Sequence, residues 1–410
     1  MFKATTSRVW SSAILLLVGA LAFALVMLWR PWLIVTGKTQ IPFMSDTNAT
    51  YGVFSFTPQS GRFDVIKITG DFPHARYMSF MVYGGSRTQP FSSIADYQMK
   101  PDPGSVNPFL PHADRTASRR RYTLYAVREG SGIDPAVYDN VLVIPASETF
   151  ATLMMRIYRP DDGLDIYGGV ALPTVQAGRT GGPLTEPRYS VLSDIRAALK
   201  KYIMVRYKEA ESYDQIHDDH LIDFYRLTRE GGTPNADVPY IDAALGASGK
   251  GPHAKLAVLR FRPPTFEDTD NGGQRITGTK DVRYYSFCTS DVAKGFNSKC
   301  VSDNELTIDR DGMVTLVVYP PALEERVKKS GLNRLVRGYS PTVSLTYRQL
   351  LPAPDFAGAA SKAPPLPLPL SGANLDQFKA STYIGEYSPT GTYYTGPQFD
   401  EWVQRRESEH

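Results

Sequence analysis

The chain has 410 residues, 42% of them hydrophobic and 21% charged, with a formal net charge of +3. This length and apolar content support two or three folded domains and exclude a largely disordered chain. The small basic excess, part of it in Lys3 and Arg8, excludes the strong positive field of a nucleic-acid binder.

Residues 9–29 carry no charge, and their apolar run reaches the roughly 20 residues a helix needs to cross a bilayer. Trp10, Trp29 and Trp32 mark its ends, where indole rings favour the headgroup region. A cleaved signal peptide is the alternative. Ala20-Leu21-Ala22 has the small-x-small form of a cleavage site, but it lies inside the run and Arg30-Pro31-Trp32 follows. The expectation is an uncleaved transmembrane signal-anchor, residues 1–32, that joins the chain to the lipid bilayer. Lys3, Arg8 and the terminal amine precede the span, against Arg30 and Lys38 after it. That bias keeps the N-terminus cytoplasmic and the bulk of the chain extracytoplasmic, in the periplasm or at the cell surface. Cys288 and Cys300 agree with export, because an oxidising compartment makes a disulfide between them the default over two buried thiols.

Residues 33–52 read as a juxtamembrane connector; within it Asn48-Ala49-Thr50 matches the glycosylation sequon, a pattern common by chance. From residue 53 the pattern is β. Residues 62–68 alternate with period two, 77–83 form an aromatic-rich run, and 94–99, 122–127 and 150–158 read as further strands. A turn-rich stretch at 101–108 separates them, and together they predict a first sandwich over 53–180. After Gly181-Gly182-Pro183, Ser190 can cap a helix to about residue 207, with Leu192, Ile195, Leu199 and Ile203 on one face. A second helix is predicted over 220–227. The two make a helical linker over 181–252. Strands resume at 255–261 and 282–288. A hairpin follows from 304–308, the turn at 309–312 and 313–319, then a strand at 342–350, giving a second sandwich over 253–360. Residues 361–410 form a tail: a polyproline stretch at 364–369, a Tyr-rich loop from 383 and a short helix near 397–405. The fold class expected is mainly β, two jelly-roll-like β-sandwich domains with a helical linker and an N-terminal transmembrane helix.

Arg76-Tyr77-Met78-Ser79-Phe80 returns as Arg283-Tyr284-Tyr285-Ser286-Phe287, which suggests one domain plan used twice. In a strand Tyr77 and Ser79 share one face, and Met78 and Phe80 the other. Arg76 is expected to pair with a carboxylate at the sheet edge, such as Asp96. Arg76, Tyr77, Arg283 and Tyr284 are candidate ligand-binding residues, with a structural role as the plainer reading.

Three pieces of residues 53–175 carry a resemblance to a known family. They are Phe72-Pro-His-Ala-Arg-Tyr-Met-Ser-Phe-Met-Val-Tyr83, Ser93-Ile-Ala-Asp-Tyr97, and Leu153-Met-Met-Arg-Ile-Tyr-Arg-Pro-Asp161 with Gly168-Gly169-Val-Ala-Leu-Pro173. The stretch resembles the domain-of-unknown-function family number 1214, whose members often carry a partner domain, number 1254. The likeness implies a jelly-roll-like sandwich and brings no catalytic residues with it.

Three clusters offer chemistry. His217, Asp219 and His220 are the candidate transition-metal ligands, although a run such as His217-Asp218-Asp219-His220 equally caps a helix. Asp268-x-Asp270-Asn271-Gly272 has the look of a calcium loop but lacks the closing Glu, and a turn explains it as well. Arg119, Arg120 and Arg121, with Arg115 and Arg128 nearby, suit an anionic headgroup, a polysaccharide or plain solvent. Serine-elbow, metalloprotease, phosphate-loop and dinucleotide motifs are all missing. No cofactor is expected beyond a transition metal or calcium at these clusters. The function expected is an envelope binding or structural module, with an envelope polysaccharide or protein as partner. The alternative is a hydrolase or metal-dependent enzyme with a cleft between the two domains.

Overall fold

The computed structural model describes residues 32–36, 45–56, 63–84, 89–187, 213, 215–228, 233–246, 249, 254–270, 275–292, 296–338, 340, 342–367 and 374–408. The first sandwich is built from β1 (Leu33–Thr36), β2 (Ala49–Phe56), β3 (Val65–Asp71), β4 (Ala75–Gly84), β5 (Ser92–Ala95), β6 (Arg121–Arg128), β7 (Val141–Ile144), β8 (Ala151–Pro160) and β9 (Thr174–Gly178). One sheet runs β1-β2-β8-β4-β5, the other β7-β6-β3-β9. Period-two alternation sets the core between them: Met78, Phe80 and Val82 of β4 meet Ile66, Ile68, Leu124, Ala126, Leu153 and Met155. Trp32 is also buried in this core, its indole donating to the Pro173 carbonyl.

The second sandwich repeats the plan. Its strands are β10 (Leu221–Ile222), β11 (Arg226–Leu227), β12 (Tyr240–Leu245), β13 (Lys255–Phe261), β14 (Tyr284–Asp291), β15 (Phe296–Ser302), β16 (Val314–Tyr319), β17 (Asn333–Val336), β18 (Val343–Leu350), β19 (Pro365–Leu366) and β20 (Thr390–Thr395). The order β12-β18-β14-β15 matches β2-β8-β4-β5, and β17-β16-β13-β20 matches β7-β6-β3-β9. Even the parallel edge recurs, β16 with β17 as β6 with β7. The chain is mainly β, and the duplication hinted at by one short block extends to whole sheets.

Both faces of β4 and β14 are buried, because the sandwiches stack. The outward face of the β4 sheet (Tyr51, Tyr77, Met81, Tyr83, Tyr158) packs on that of the β14 sheet (Tyr284, Leu350). Tyr158 sits edge-on to both Tyr77 and Tyr284, each 5.6 Å between ring centroids.

Several expectations need correction. Residues 33–52 do not merely connect: β1 and the start of β2 pair as strands of the first sheet. Residues 220–227 are not helical. Ile222 and Phe224 enter the second core while Leu221 is half exposed, the alternation of β10 and its neighbours. β12, inside the predicted linker, pairs with β18. Residues 304–308 form no strand, because a 3-10 turn at Asp303–Glu305 follows β15 directly; the turn at 309–312 is present and leads into β16. The Tyr-rich tail is not a surface loop, since Thr390–Thr395 lies between β10 and β13. Gly391 permits that fit, because a Cβ there would meet the Val258 carbonyl at 2.3 Å. In the Pro-rich stretch Pro365–Leu366 pairs with β11.

Of the helices, α1 (Glu324–Lys329), α2 (Ala380–Ile384) and α3 (Gly396–Ser408), the last meets the expectation of a helix near 397–405. The predicted span at 9–29 and the helix at 190–207 lie outside the described residues, and no described helix is long and apolar enough to cross a membrane. Cys288 and Cys300 are opposite each other on β14 and β15 and are joined by a disulfide, as predicted.

Candidate functional site

Arg76, Tyr77, Arg283 and Tyr284 all come to lie between the two sandwiches. Arg76 is wholly buried and donates to Asp303 Oδ2 at 2.9 Å, Asp270 Oδ1 at 2.9 Å and Thr269 Oγ1 at 3.1 Å. Its partners belong to the second sandwich rather than to its own sheet edge, so the expected Arg76–Asp96 pair is not formed. Asp96 instead accepts from Arg283, at 3.3 Å. The exchange is reciprocal, the signature of a two-fold contact. Each carboxylate is anchored in its own half: Asp96 accepts the Met78 amide at 2.7 Å and Asp303 the Tyr285 amide at 3.1 Å, both 18 residues apart in sequence. Tyr77 donates to Asp237 at 2.6 Å and Tyr284 to Asp46 at 3.0 Å. Burial and the neighbouring carboxylate push both phenols well above their usual range.

Burial also pushes Asp96 and Asp303 up to about 6, although the facing arginines pull the other way. The unfolded carboxyl titrates near 3.8, so between these limits the folded chain holds the extra protons. The stabilisation from that protonation is complete below the unfolded value and is lost as pH rises through about 6. Relative to an Asp96→Asn/Asp303→Asn variant, the wild type should therefore gain roughly 1 kcal/mol per carboxylate between pH 7 and pH 5, read by denaturant unfolding. His74, held down to about 4 by burial, opposes this in both proteins and cancels in the difference. An identical pH profile for the two proteins would refute the assignment.

The outer face of the first sandwich is different. There β6, β3 and β9 floor an open groove of about 820 Å³. Thr123, Thr69 and Thr174 stand in one cross-strand row, and Lys67 and Gln176 in the next. Leu172 and Pro173 form an apolar wall with the edge of Trp32, and Asp102, Arg121 and Glu186 complete the lining. Asp102 accepts from Thr123 Oγ1 at 3.1 Å, which orients the hydroxyl. Two cations and two carboxylates thus line a floor of hydroxyl and amide groups, with Arg121 paired to Asp102 at 3.8 Å. The sequence reading missed this face, because β9 hides behind a Gly/Pro-rich approach; the outward alternation of 67/69 and 121/123 was the available signal.

His217 and Asp219 are in contact at 3.1 Å, and the other ring nitrogen of His217 faces the Ala244 carbonyl at 3.4 Å. Asp218 accepts the amides of His220 and Leu221, the capping role in a turn rather than in a helix. His220 does not complete a three-ligand cluster with His217 and Asp219; among the described residues such a grouping occurs at Asp46, Cys288 and Cys300, whose sulfurs are bonded to each other. Asp270 receives Arg76, Arg159 and Asn304, so its oxygens are occupied; Asn271 and Gly272 lie outside the described residues. Of the arginine run, Arg115 is buried against Asp161 and Arg120 against the carbonyls of Phe72 and Arg115. Arg128 reaches the Ala146 carbonyl, Arg119 is exposed, and Arg121 faces the groove. The sequon nitrogen of Asn48 is buried, out of reach of a glycosyltransferase in the folded chain.

No family model and no curated protein matches the sequence. Among solved structures, an uncharacterised protein from Burkholderia cenocepacia superposes with a TM-score of 0.53 at 12% identity, over 89% of this chain and 81% of its own. The likeness is one of fold. The VPA0106 protein from Vibrio parahaemolyticus gives a TM-score of 0.41 at 12% identity, over 76% of this chain and 87% of that one.

Proposed function

We propose that the protein is a binding module of the cell envelope, held to the membrane by residues 9–29, and that the groove over β6-β3-β9 takes an uncharged, hydroxyl-rich polymer such as an envelope polysaccharide. The groove carries the reading. Its rows of Thr, Lys and Gln offer donors and acceptors along a strand-wide floor. The balance of Lys67 and Arg121 against Asp102 and Glu186 selects neither a polyanion nor a polycation. Tyr125, paired with Lys67 across the strands and stacked on Tyr138 at 4.0 Å, offers an aromatic face beside the groove. The charge-free N-terminal run and the disulfide support an exported, anchored chain. The likeness to family number 1214 supports the sandwich plan and adds no activity.

Full chain in detergent should be retarded by a neutral polysaccharide in affinity electrophoresis. Lys67→Ala/Gln176→Ala should weaken that retardation at least tenfold with an unchanged unfolding midpoint. Equal retardation of variant and wild type, or none by any neutral polymer, would remove the groove from the function. Protease protection in intact cells, with digestion after the outer barrier is opened, tests the topology; a product found in the cytosol would overturn it.

A further inference from the structure

We propose that the chain holds one halide-sized anion in its interior, between Arg156 and Asn235, where the second copy of the same arrangement carries a carboxylate of its own. The two copies are related residue by residue. Ser79 faces Arg156 across β4 and β8, as Ser286 faces Arg348 across β14 and β18. The loop before β2 reaches across to β14, and the loop before β12 reaches across to β4. In the first loop the Asp46 amide donates to Tyr51 Oη at 2.9 Å and Asp46 Oδ1 accepts the Asn48 amide at 2.9 Å. In the second, the Asn235 amide donates to Tyr240 Oη at 3.2 Å and Asn235 Oδ1 accepts the Asp237 amide at 3.0 Å. Asp46 and Asn235 are therefore equivalent positions with different charge.

At the Asp46 end the arrangement is complete. Asp46 Oδ2 accepts from Ser286 Oγ at 2.6 Å and Tyr284 Oη at 3.0 Å, and Arg348 Nη1 lies at 3.5 Å. At the Asn235 end the matching atom is Nδ2, a donor in place of an acceptor, and it is buried without a hydrogen-bond partner. Arg156, 2% exposed, uses Nη2 on Tyr83 Oη at 2.8 Å and the Thr233 carbonyl at 2.7 Å, while Nη1 has no partner. Among the described residues no carboxylate reaches salt-bridge distance of Arg156. Asp237, the nearest carboxylate in this loop, is taken by Tyr77. The Ser79 hydroxyl lies beside Tyr77, within hydrogen-bonding reach of its phenol. A buried guanidinium and a buried amide, each with an unpartnered N–H donor, thus belong to the arrangement in which the other copy brings Arg348 to the Asp46 carboxylate. Buried donors and a buried cation demand an acceptor carrying negative charge. A monatomic anion accepts from every direction and so suits donors contributed by a strand and a loop.

Chloride is the probe. With the full chain at constant ionic strength, replacing gluconate by chloride should raise the unfolding midpoint saturably, by roughly 2–4 °C. Asn235→Asp supplies the missing carboxylate and should abolish the chloride dependence. Asp46→Asn should add a second saturable step. A chloride response no larger than that of gluconate, as a bound water would give, overturns the proposal, and so does an Asn235→Asp protein that responds like wild type. Wild-type crystals grown in bromide give a reading that needs no variant. An anomalous peak within hydrogen-bonding distance of Arg156 Nη1 and Asn235 Nδ2 is expected, and its absence at saturating bromide would refute the site.

Discussion

Arg76→Ala should lower the unfolding free energy by about 3–5 kcal/mol, the range for removing one partner from a buried ion pair. The side chain is fully buried, and its loss leaves Asp303 and Asp270 without the guanidinium that both accept from. Asp270 keeps Arg159, at 3.0 Å, but Asp303 keeps only amide donors, from Tyr285 and Asn304. The internal control is Lys100→Ala, whose pair with Asp139 is as short, 2.8 Å, but about 70% exposed at both ends. Solvent screening should hold that loss below about 1 kcal/mol. Arg283→Ala breaks the reciprocal contact and should fall between, because that arginine is 10% exposed and its pair longer, at 3.3 Å. Guanidinium unfolding of the three variants measures the order directly. An Arg76→Ala loss equal to that of Lys100→Ala would mean that the crossed pairs do not hold the sandwiches together.

That crossing explains where sequence reasoning stops. Alternation places Tyr77 and Ser79 on one face of a strand and Met78 and Phe80 on the other, and the cores follow it. It says nothing about which distant carboxylate meets Arg76. Asp96 is near in sequence and Asp303 lies 227 residues away, yet the two-fold contact exchanges them. Local signals also misdirect where a strand is short. The His217–His220 run resembles a helix cap, but Asp218 caps a turn, and the next residues alternate into the second core. Thr390–Thr395 carries Gly and Thr where a loop would, and becomes a strand only because β13 and β10 flank it. Binding residues on an outward sheet face are harder still. Thr69, Thr123 and Thr174 are ordinary strand residues until three strands align them. The Asp46/Asn235 difference was present in the sequence, each five residues before a tyrosine that its amide contacts, but only the paired loops give it meaning.

The disulfide joins the stability of the second sandwich to the compartment in which the chain folds. Cys288 and Cys300 sit opposite each other, with Cα atoms 4.1 Å apart; the same register in the first sheet is filled by Met81 and Ser93, with no covalent link. The plan therefore forms without a cross-link, and the bond acts mainly by restricting the unfolded chain. Closing a loop of this size stabilises by about 3 kcal/mol in the chain-entropy model. Cys288→Ala/Cys300→Ala should lose about that amount in denaturant unfolding, and wild type unfolded under reductant should match the variant. Both cysteines are buried, at 0% and 1% exposure, and Arg348 points at Cys288. Reductant should consequently act on the native chain no faster than the chain unfolds, and unfolding in denaturant should bring rapid reduction. Thiol trapping before lysis carries the result back to the cell. An exported chain should yield no alkylated cysteine, because the bond closes in an oxidising compartment. Two trapped thiols at full occupancy would place folding in a reducing one and remove the disulfide as support for an envelope location.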